Sequence, residues 1–137
     1  MPAMKTTRIL ALGLVLGVVA LPGAALAKGD DDGGGGNDRE TRVTGTCSGG
    51  STAKLKVKPD DGRIEAEFEV DQNRNGVTWR VTMRRNGNVA VSTRATTRAP
   101  SGSFSVERRI TDGSGTDRIR ARATSPSGEV CTASASL

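Results

Sequence analysis

From Thr41 onward, apolar and polar residues alternate in short runs that are separated by turn residues. A period of two is typical of β-strands with one buried face, and no segment carries the period of an amphipathic helix. About seven or eight such runs fit into residues 41–137, and the first of them covers residues 42–47. The pattern therefore predicts an all-β domain, an antiparallel sandwich of short strands.

Two neighbouring runs carry complementary charges. Residues 52–58 alternate apolar side chains with lysines, and residues 63–70 alternate apolar side chains with glutamates. The segment between them, residues 59–62, has the composition of a turn. Folding this hairpin with apolar against apolar brings each lysine opposite a glutamate. The predicted pairs are Val57 with Ile64, Leu55 with Ala66, Lys56 with Glu65 and Lys54 with Glu67.

Residues 77–83 and 89–96 predict a second hairpin, with Trp79 on the inner face and in the centre of the core. Arg85-Asn86-Gly87 fits a three-residue loop with glycine in the left-handed position. That loop would pair Met83 with Val89 and Val81 with Val91.

The last three runs follow the same rule with one exception. Arg108 falls on the same face as the apolar residues Phe104, Val106 and Ile110. Either Arg108 lies at the rim of the sandwich with its head in water, or a bulge resets the register there. The turn Pro126-Ser127-Gly128 would place Ala123 opposite Cys131 and Ala121 opposite Ala133.

The first 27 residues have the three parts of a secretory signal peptide. Lys5 and Arg8 precede the apolar run Ile9 to Leu21, and Ala25-Leu26-Ala27 supplies small residues for cleavage. The run is shorter than the roughly 20 residues that span a bilayer. We expect cleavage after Ala27, a secreted, extracellular protein that starts at Lys28, and no membrane segment after cleavage.

Residues 28–40 contain an aspartate triplet and four consecutive glycines but no apolar side chain. Such a segment cannot bury enough surface to offset the entropy of ordering. It predicts a disordered acidic leader between the cleavage site and the domain.

The chain has two cysteines, Cys47 and Cys131. In an oxidising compartment the simplest expectation is one disulfide, here joining the first and last strands across the core. In the chain-entropy model, a disulfide that closes the loop between residues 47 and 131 adds roughly 4.5 kcal/mol to the free energy of unfolding.

Arginines form the clearest candidate for a binding site. Arg118, Arg120 and Arg122 alternate with apolar residues and would form an outward stripe, which Arg80 and Arg84 join if their strands share a sheet. The stripe suits an anionic polymer bearing phosphates or uronates. It does not favour nucleic acid, because no outward aromatic residue can stack on bases. A solvated sheet face is the structural alternative.

Residues 71–76 match the opening of a calcium loop, with Asp71, Asn73 and Asn75 as oxygen donors. The match ends there, because Thr82 stands where a bidentate glutamate is needed, and a polar turn explains the same residues. We expect no metal and no cofactor. The chain has no His and no nucleophile motif, so we expect no enzymatic activity.

With its short strands, inward Trp79 and one long-range disulfide, the domain resembles the immunoglobulin-like and fibronectin type III-like sandwiches of secreted proteins. It departs from true immunoglobulin domains in the positions of Cys47 and Cys131 and in lacking Tyr. The leader and the Arg, Ala and Gly bias are similar to those of small secreted proteins of high-GC Gram-positive bacteria.

The resulting hypothesis is a secreted binding or adhesion module that recognises an anionic cell-wall polymer or another extracellular protein. Two alternatives stay open at this stage. One is a small-ligand carrier with a cleft lined by Ala and Val of the last four predicted strands, from residue 89 onward. The other is a secreted protease inhibitor that uses loop 97–102.

Overall fold

The structure, a computed structural model, describes residues 39–137. The predicted signal peptide, residues 1–27, and all but the last two residues of the predicted leader lie outside this range. The described part contains nine strands and no helix, hence none long and apolar enough to cross a membrane. The strands are β1 (Thr41–Thr44), β2 (Thr46–Cys47), β3 (Thr52–Asp60), β4 (Arg63–Asp71), β5 (Thr78–Arg85), β6 (Asn88–Thr96), β7 (Ser103–Thr111), β8 (Arg118–Thr124) and β9 (Val130–Ser136).

The strands form two antiparallel sheets that share one core. The four-stranded sheet has the order β1-β3-β4-β7, and the five-stranded sheet has the order β2-β9-β8-β5-β6. Apolar side chains from both sheets make a continuous cluster between them. This confirms the predicted all-β sandwich.

Trp79 lies in the middle of the core, as predicted, and is completely buried. Its ring packs against Phe104 of the opposite sheet, with 6.1 Å between the ring centroids. Its indole Nε1–H donates to the side-chain oxygen of Gln72 at 3.1 Å, so the one polar atom of the ring keeps a partner.

The first strand changes sheets at Gly45. β1 pairs with β3 in one sheet, and β2 pairs with β9 in the other. A β-carbon at Gly45 would collide with the carbonyl oxygen of Thr132, so only glycine allows the chain to pass this closely. The single strand expected over residues 42–47 was therefore wrong, and its division accounts for the ninth strand.

Cys47 and Cys131 form the predicted disulfide between an early strand and the last strand, 84 residues apart. The expected course across the core was wrong. The two residues are direct cross-strand partners in the β2–β9 pair, so the bond lies within the five-stranded sheet.

The hairpin of β3 and β4 pairs two residues away from the predicted register. Its loop is only Asp61-Gly62, and both residues have positive φ, at 51° and 73°. A two-residue loop of this kind matches the twist of the strands and lets them continue through Pro59 and Asp60. The observed pairs are Val57 with Ala66, Leu55 with Phe68, Lys56 with Glu67 and Lys58 with Glu65.

The β5–β6 hairpin is also tighter than predicted. Its loop is Asn86-Gly87, both with positive φ, and the register shifts next to Arg84. Met83 therefore pairs with Val91 and Val81 with Thr93, not with Val89 and Val91. Val89 lies on the outer side of the sheet and is 55% exposed.

Pairing of β4 with β7 continues without interruption past Arg108, which is opposite Ala66. No bulge resets the register, and Arg108 lies exposed on the core-facing side of an edge strand, the rim position. In the last hairpin, Ala123 pairs with Cys131 and Ala121 with Ala133, as predicted.

Replacing Gly45 by alanine is expected to lower the free energy of unfolding by about 1–3 kcal/mol, because the added methyl group displaces the β9 backbone. Gly50→Ala is the matched control, since a β-carbon there meets no atom within 4 Å. Urea denaturation of both variants measures the effect. Equal stability of the two variants would contradict the close approach at Gly45.

Candidate functional site

Six exposed arginines share the outer face of the five-stranded sheet, and we call this surface the arginine face. Their positions follow from alternation, because the intervening residues of each strand point into the core. They lie on the three adjacent strands β8, β5 and β6, and they are Arg118, Arg120, Arg122, Arg80, Arg84 and Arg94.

The strand register places arginines directly opposite one another. Arg84 on β5 pairs with Arg120 on β8, and Arg80 on β5 pairs with Arg94 on β6. Like charges at directly opposite positions destabilise an antiparallel sheet. This arrangement therefore opposes the stability of the fold.

No acidic side chain of residues 39–137 forms an ion pair with the arginine face. Arg118 Nε donates to Ser134 Oγ at 3.0 Å, and Arg84 Nη1 donates to the Gly87 carbonyl at 3.1 Å. The rest of the face is mostly hydroxyl side chains, which add hydrogen-bond donors without negative charge. They are Thr46, Thr78, Thr82, Ser92, Thr96, Thr124, Thr132, Ser134 and Ser136.

Two open depressions lie side by side on this face. One has a volume of about 400 Å³ and is lined by Arg80, Arg84, Arg120 and Arg122 with two threonines. The other, about 440 Å³, is lined by Arg80 and Arg94 together with residues 124–126. Arg80 lines both depressions, so the two form one continuous basic surface.

The outer face of the four-stranded sheet has a balanced charge. Lys56 pairs with Glu67, and Lys58 Nζ lies 3.1 Å from Glu65 Oε1. The Lys56 ammonium holds the pKa of Glu67 below its usual range. Six bases oppose six acids on this face, namely Arg42, Lys54, Lys56, Lys58, Arg63 and Arg109 against Asp60, Glu65, Glu67, Glu69, Asp71 and Glu107.

The positive charge of the domain is therefore concentrated on one side. Residues 41–137 carry a net charge of about +6, which equals the charge of the six arginines on the arginine face. A one-sided distribution produces a stronger local potential than the same charge spread evenly.

The arginine face has no aromatic residue. The chain contains only Trp79, Phe68 and Phe104 as aromatics, and all three are buried in the core. Recognition on this surface therefore depends on charge and hydrogen bonds, without stacking on sugars or bases.

The structure brings together every arginine that the sequence indicated. Arg118, Arg120, Arg122 and Arg80 lie on adjacent strands, and Arg84 joins them because β5 and β8 are neighbours. Arg94 was missed. The alternation of β6, with Val91 pointing inward, carries the signal that would have placed Arg94 outside.

The partial calcium motif forms a tight turn. The backbone N–H of Asn73 donates to Asp71 Oδ1 at 3.0 Å, so that carboxylate caps its own loop. Asn73 and Asn75 are exposed, and the backbone of the loop packs against Gly102, where a side chain would collide with Arg74 N. Within the described range, Asp71 belongs to no cluster of three His, Cys, Asp or Glu residues that could share a metal ion.

One group of potential metal ligands does occur in the described part, namely Cys47, Cys131 and Glu129. Both sulfurs are bonded to each other in the disulfide. Glu129 is engaged by Ser51, whose N–H and hydroxyl donate to its two carboxylate oxygens at 2.9 and 3.0 Å. The group therefore fastens loop 48–51 to β9.

Asp117 is a buried carboxylate that joins the end of β5 and the following turn to the loop before β8. Oδ1 accepts from Arg85 Nε at 2.7 Å and from Asn86 Nδ2 at 2.8 Å, and Oδ2 accepts from the Gly113 N–H at 3.0 Å. The Arg85 guanidinium and then the Gly113 N–H hold the pKa of Asp117 well below its usual range. Both oxygens are thus used by the fold.

The structure also shows where the residues named for the two alternative functions lie, those of a small-ligand carrier and of a protease inhibitor. Val106, Ala121 and Ala123, from the predicted cleft, are buried in the core. Loop 97–102 is held by backbone hydrogen bonds to Gly76 and Gln72, and its residues 98–101 are exposed. Neither position adds support to a carrier or an inhibitor.

No protein-family model, no curated protein and no solved structure matches this chain. The arguments for its function therefore rest on the geometry above.

Arg120→Thr is expected to raise the free energy of unfolding by about 0.5 kcal/mol, because it removes a like charge opposite Arg84. Lys58→Thr is the matched control, and it should lower stability because Lys58 faces Glu65. Thermal unfolding in low salt measures both variants. A loss of stability in Arg120→Thr would show that the arginines do not repel one another.

Asp117→Asn is expected to lower the free energy of unfolding at pH 7 by about 2–3 kcal/mol. Because the pKa of Asp117 is depressed in the fold, its ionised carboxylate stabilises the fold fully above the pKa of an aspartate in the unfolded chain, about 3.9. This contribution is lost as the pH falls towards the lower pKa of the folded state. The gap between wild type and variant should therefore narrow below about pH 4. Urea midpoints at pH 7 and pH 2.5 measure it, with the exposed Asp61→Asn as control. A gap independent of pH would contradict the charged clamp.

Proposed function

We propose that this protein is a secreted, non-enzymatic binding module whose arginine face holds an anionic extracellular polymer, such as a cell-wall polymer that carries phosphate or carboxylate groups. The observation that carries this proposal is the direct opposition of Arg84 with Arg120 and of Arg80 with Arg94, on a face without acids. Features that oppose local stability are expected at functional sites.

The spacing of the arginines favours a polymer over a small anion. Neighbouring guanidinium groups are rooted about 7 Å apart along a strand and about 5 Å apart between strands. A single phosphate could contact only two or three of the six. A chain of anionic groups lying across β8, β5 and β6 could neutralise all of them and relieve the repulsion between opposite pairs.

The chemistry of arginine suits both phosphate and carboxylate. The guanidinium group is planar and always charged, and its fork of donors binds either anion through two parallel hydrogen bonds. Arg80, Arg94, Arg120 and Arg122 form no side-chain hydrogen bond or ion pair within residues 39–137, so these four guanidinium groups are available.

The disulfide is compatible with an extracellular location, because such bonds persist in oxidising compartments. The apolar run and the small residues before Lys28 support export by the secretory route. A polymer of the cell surface would then be the first polyanion that the protein meets.

The double variant Arg120→Ser with Arg122→Ser is expected to bind an anionic polymer about tenfold or more weakly, with a melting temperature equal to or slightly above that of the wild type, since the repulsion of Arg84 by Arg120 is removed. The matched control is Lys54→Ser with Arg63→Ser, which removes the same charge from the balanced face. Isothermal titration with polyphosphate and co-sedimentation with isolated Gram-positive cell walls measure binding.

The salt dependence gives a second readout. The slope of log K against log salt should become shallower by about two in the arginine double variant. An equal loss of affinity in both double variants would show that net charge alone causes the binding. Wall binding that survives the arginine substitutions would point instead to a protein partner at another surface.

A further inference from the structure

The sandwich has four edge strands, and three of them are protected against pairing with another chain. β1 and β2 are only four and two residues long. β7 carries Arg108 on its core-facing side, and the neighbouring residues Glu107 and Arg109 add two further charges to this edge. Short edges and inward-pointing charges are devices that natural sheets use to prevent edge-to-edge association.

β6 lacks these devices. It is nine residues long, and its sole charged residue is Arg94. Beyond the register shift at Ala90, residues 91–96 run as a regular strand that is rich in residues favouring β-structure. In the described sheets its only neighbour is β5.

The free hydrogen-bonding groups of β6 follow from the register. Two backbone bonds at the ends of this hairpin show the directions. The Asn86 N–H donates to the Arg118 carbonyl, on the side of β8, and the Thr97 N–H donates to the Val77 carbonyl, on the side of β5. Because inter-strand bonds alternate in direction along an antiparallel strand, odd-numbered residues of β6 bond to β5. The N–H and C=O groups of Ser92, Arg94 and Thr96 therefore point outward from the edge.

The inner side of the same strand is incompletely covered. Val91, Thr93 and Ala95 point towards the core, yet each remains half-buried, whereas their partners Met83, Val81 and Trp79 are fully buried. A strand added at this edge would cover these three side chains as well as satisfy the outward backbone groups.

We propose that two copies of this chain pair antiparallel through β6. With Thr93 of one copy opposite Thr93 of the other, Ser92 meets Arg94 and Val91 meets Ala95. This register sets apolar residues against apolar ones and puts no like charges directly opposite. It also uses the outward groups of Ser92 and Arg94 as hydrogen-bonded pairs. β6 is therefore complementary to itself.

The pairing would join the two five-stranded sheets into one sheet of ten strands. A two-fold axis perpendicular to the sheet keeps both arginine faces on the same side, so a polymer could run across both copies. The two Arg94 side chains would become diagonal neighbours, within about 7–8 Å. Their repulsion makes self-association strongest where salt screens charge.

Sedimentation equilibrium of the protein alone, without polymer, tests this proposal. The association constant of the dimer is expected to increase as the NaCl concentration is raised from about 0.02 to about 0.5 M. Polymer binding through the arginine face would weaken over the same range, so the two proposals can fail separately. A monomer at about 0.5 mM protein in both salts would overturn the dimer.

Ser92→Pro tests the location of the interface. Proline at this position removes an N–H that points outward, so it leaves the bonds to β5 intact. Two bonds are lost per dimer, and dimerisation should weaken about thirtyfold. Ser92→Ala, which keeps the N–H, should change it less than about twofold. A dimer that persists in Ser92→Pro would place the interface elsewhere.

Arg94→Ser supplies a second variant that needs no change of backbone. It removes the diagonal repulsion, so dimerisation in low salt should strengthen to about the level that the wild type shows in high salt. The same variant should bind polyphosphate more weakly. Unchanged dimerisation in low salt would overturn the proposed register.

Discussion

The passage of the first strand from one sheet to the other is the constraint on which the rest of the sandwich depends. Gly45 permits it, because any side chain there would collide with the β9 backbone, and the Cys47–Cys131 bond fastens it two residues later. One side of the sandwich is thereby closed by a strand that belongs to both sheets. The other side ends in the separate edges β6 and β7, so the fold is open where β6 could receive a second copy.

Charge is organised in two different ways on the two outer faces. On the four-stranded sheet, lysines meet glutamates across the β3–β4 hairpin, and such pairs help to specify which strands lie side by side. On the five-stranded sheet, arginines lie opposite arginines, and their charges repel one another. The hydrogen bonds of Asp117 and the packing of the core hold these strands together against that repulsion. The repulsion would be relieved by bound anions, which connects the stability of the sheet to its proposed function.

Most of the strands and the inward residues could be predicted from the sequence, whereas two of the three predicted hairpin registers were wrong. Asp61-Gly62 and Asn86-Gly87 form two-residue loops, because all four residues adopt the positive φ that such loops require. The resulting shift of two residues leaves each side chain on the same face of its strand. Trp79 and Arg80 were therefore placed correctly in spite of it, and Val89, next to the irregular register at Arg84, was not.

The alternation of residue types determined by itself that the chain forms strands, which residues face the core and which arginines face outward, because these properties depend only on local spacing. The neighbours of each strand were decided by the tertiary structure. The sequence holds no local sign that Arg84 lies opposite Arg120, that Arg80 lies opposite Arg94, or that the disulfide stays within one sheet. Contacts between distant segments depend on how all the strands pack at once, and that packing created the arginine face.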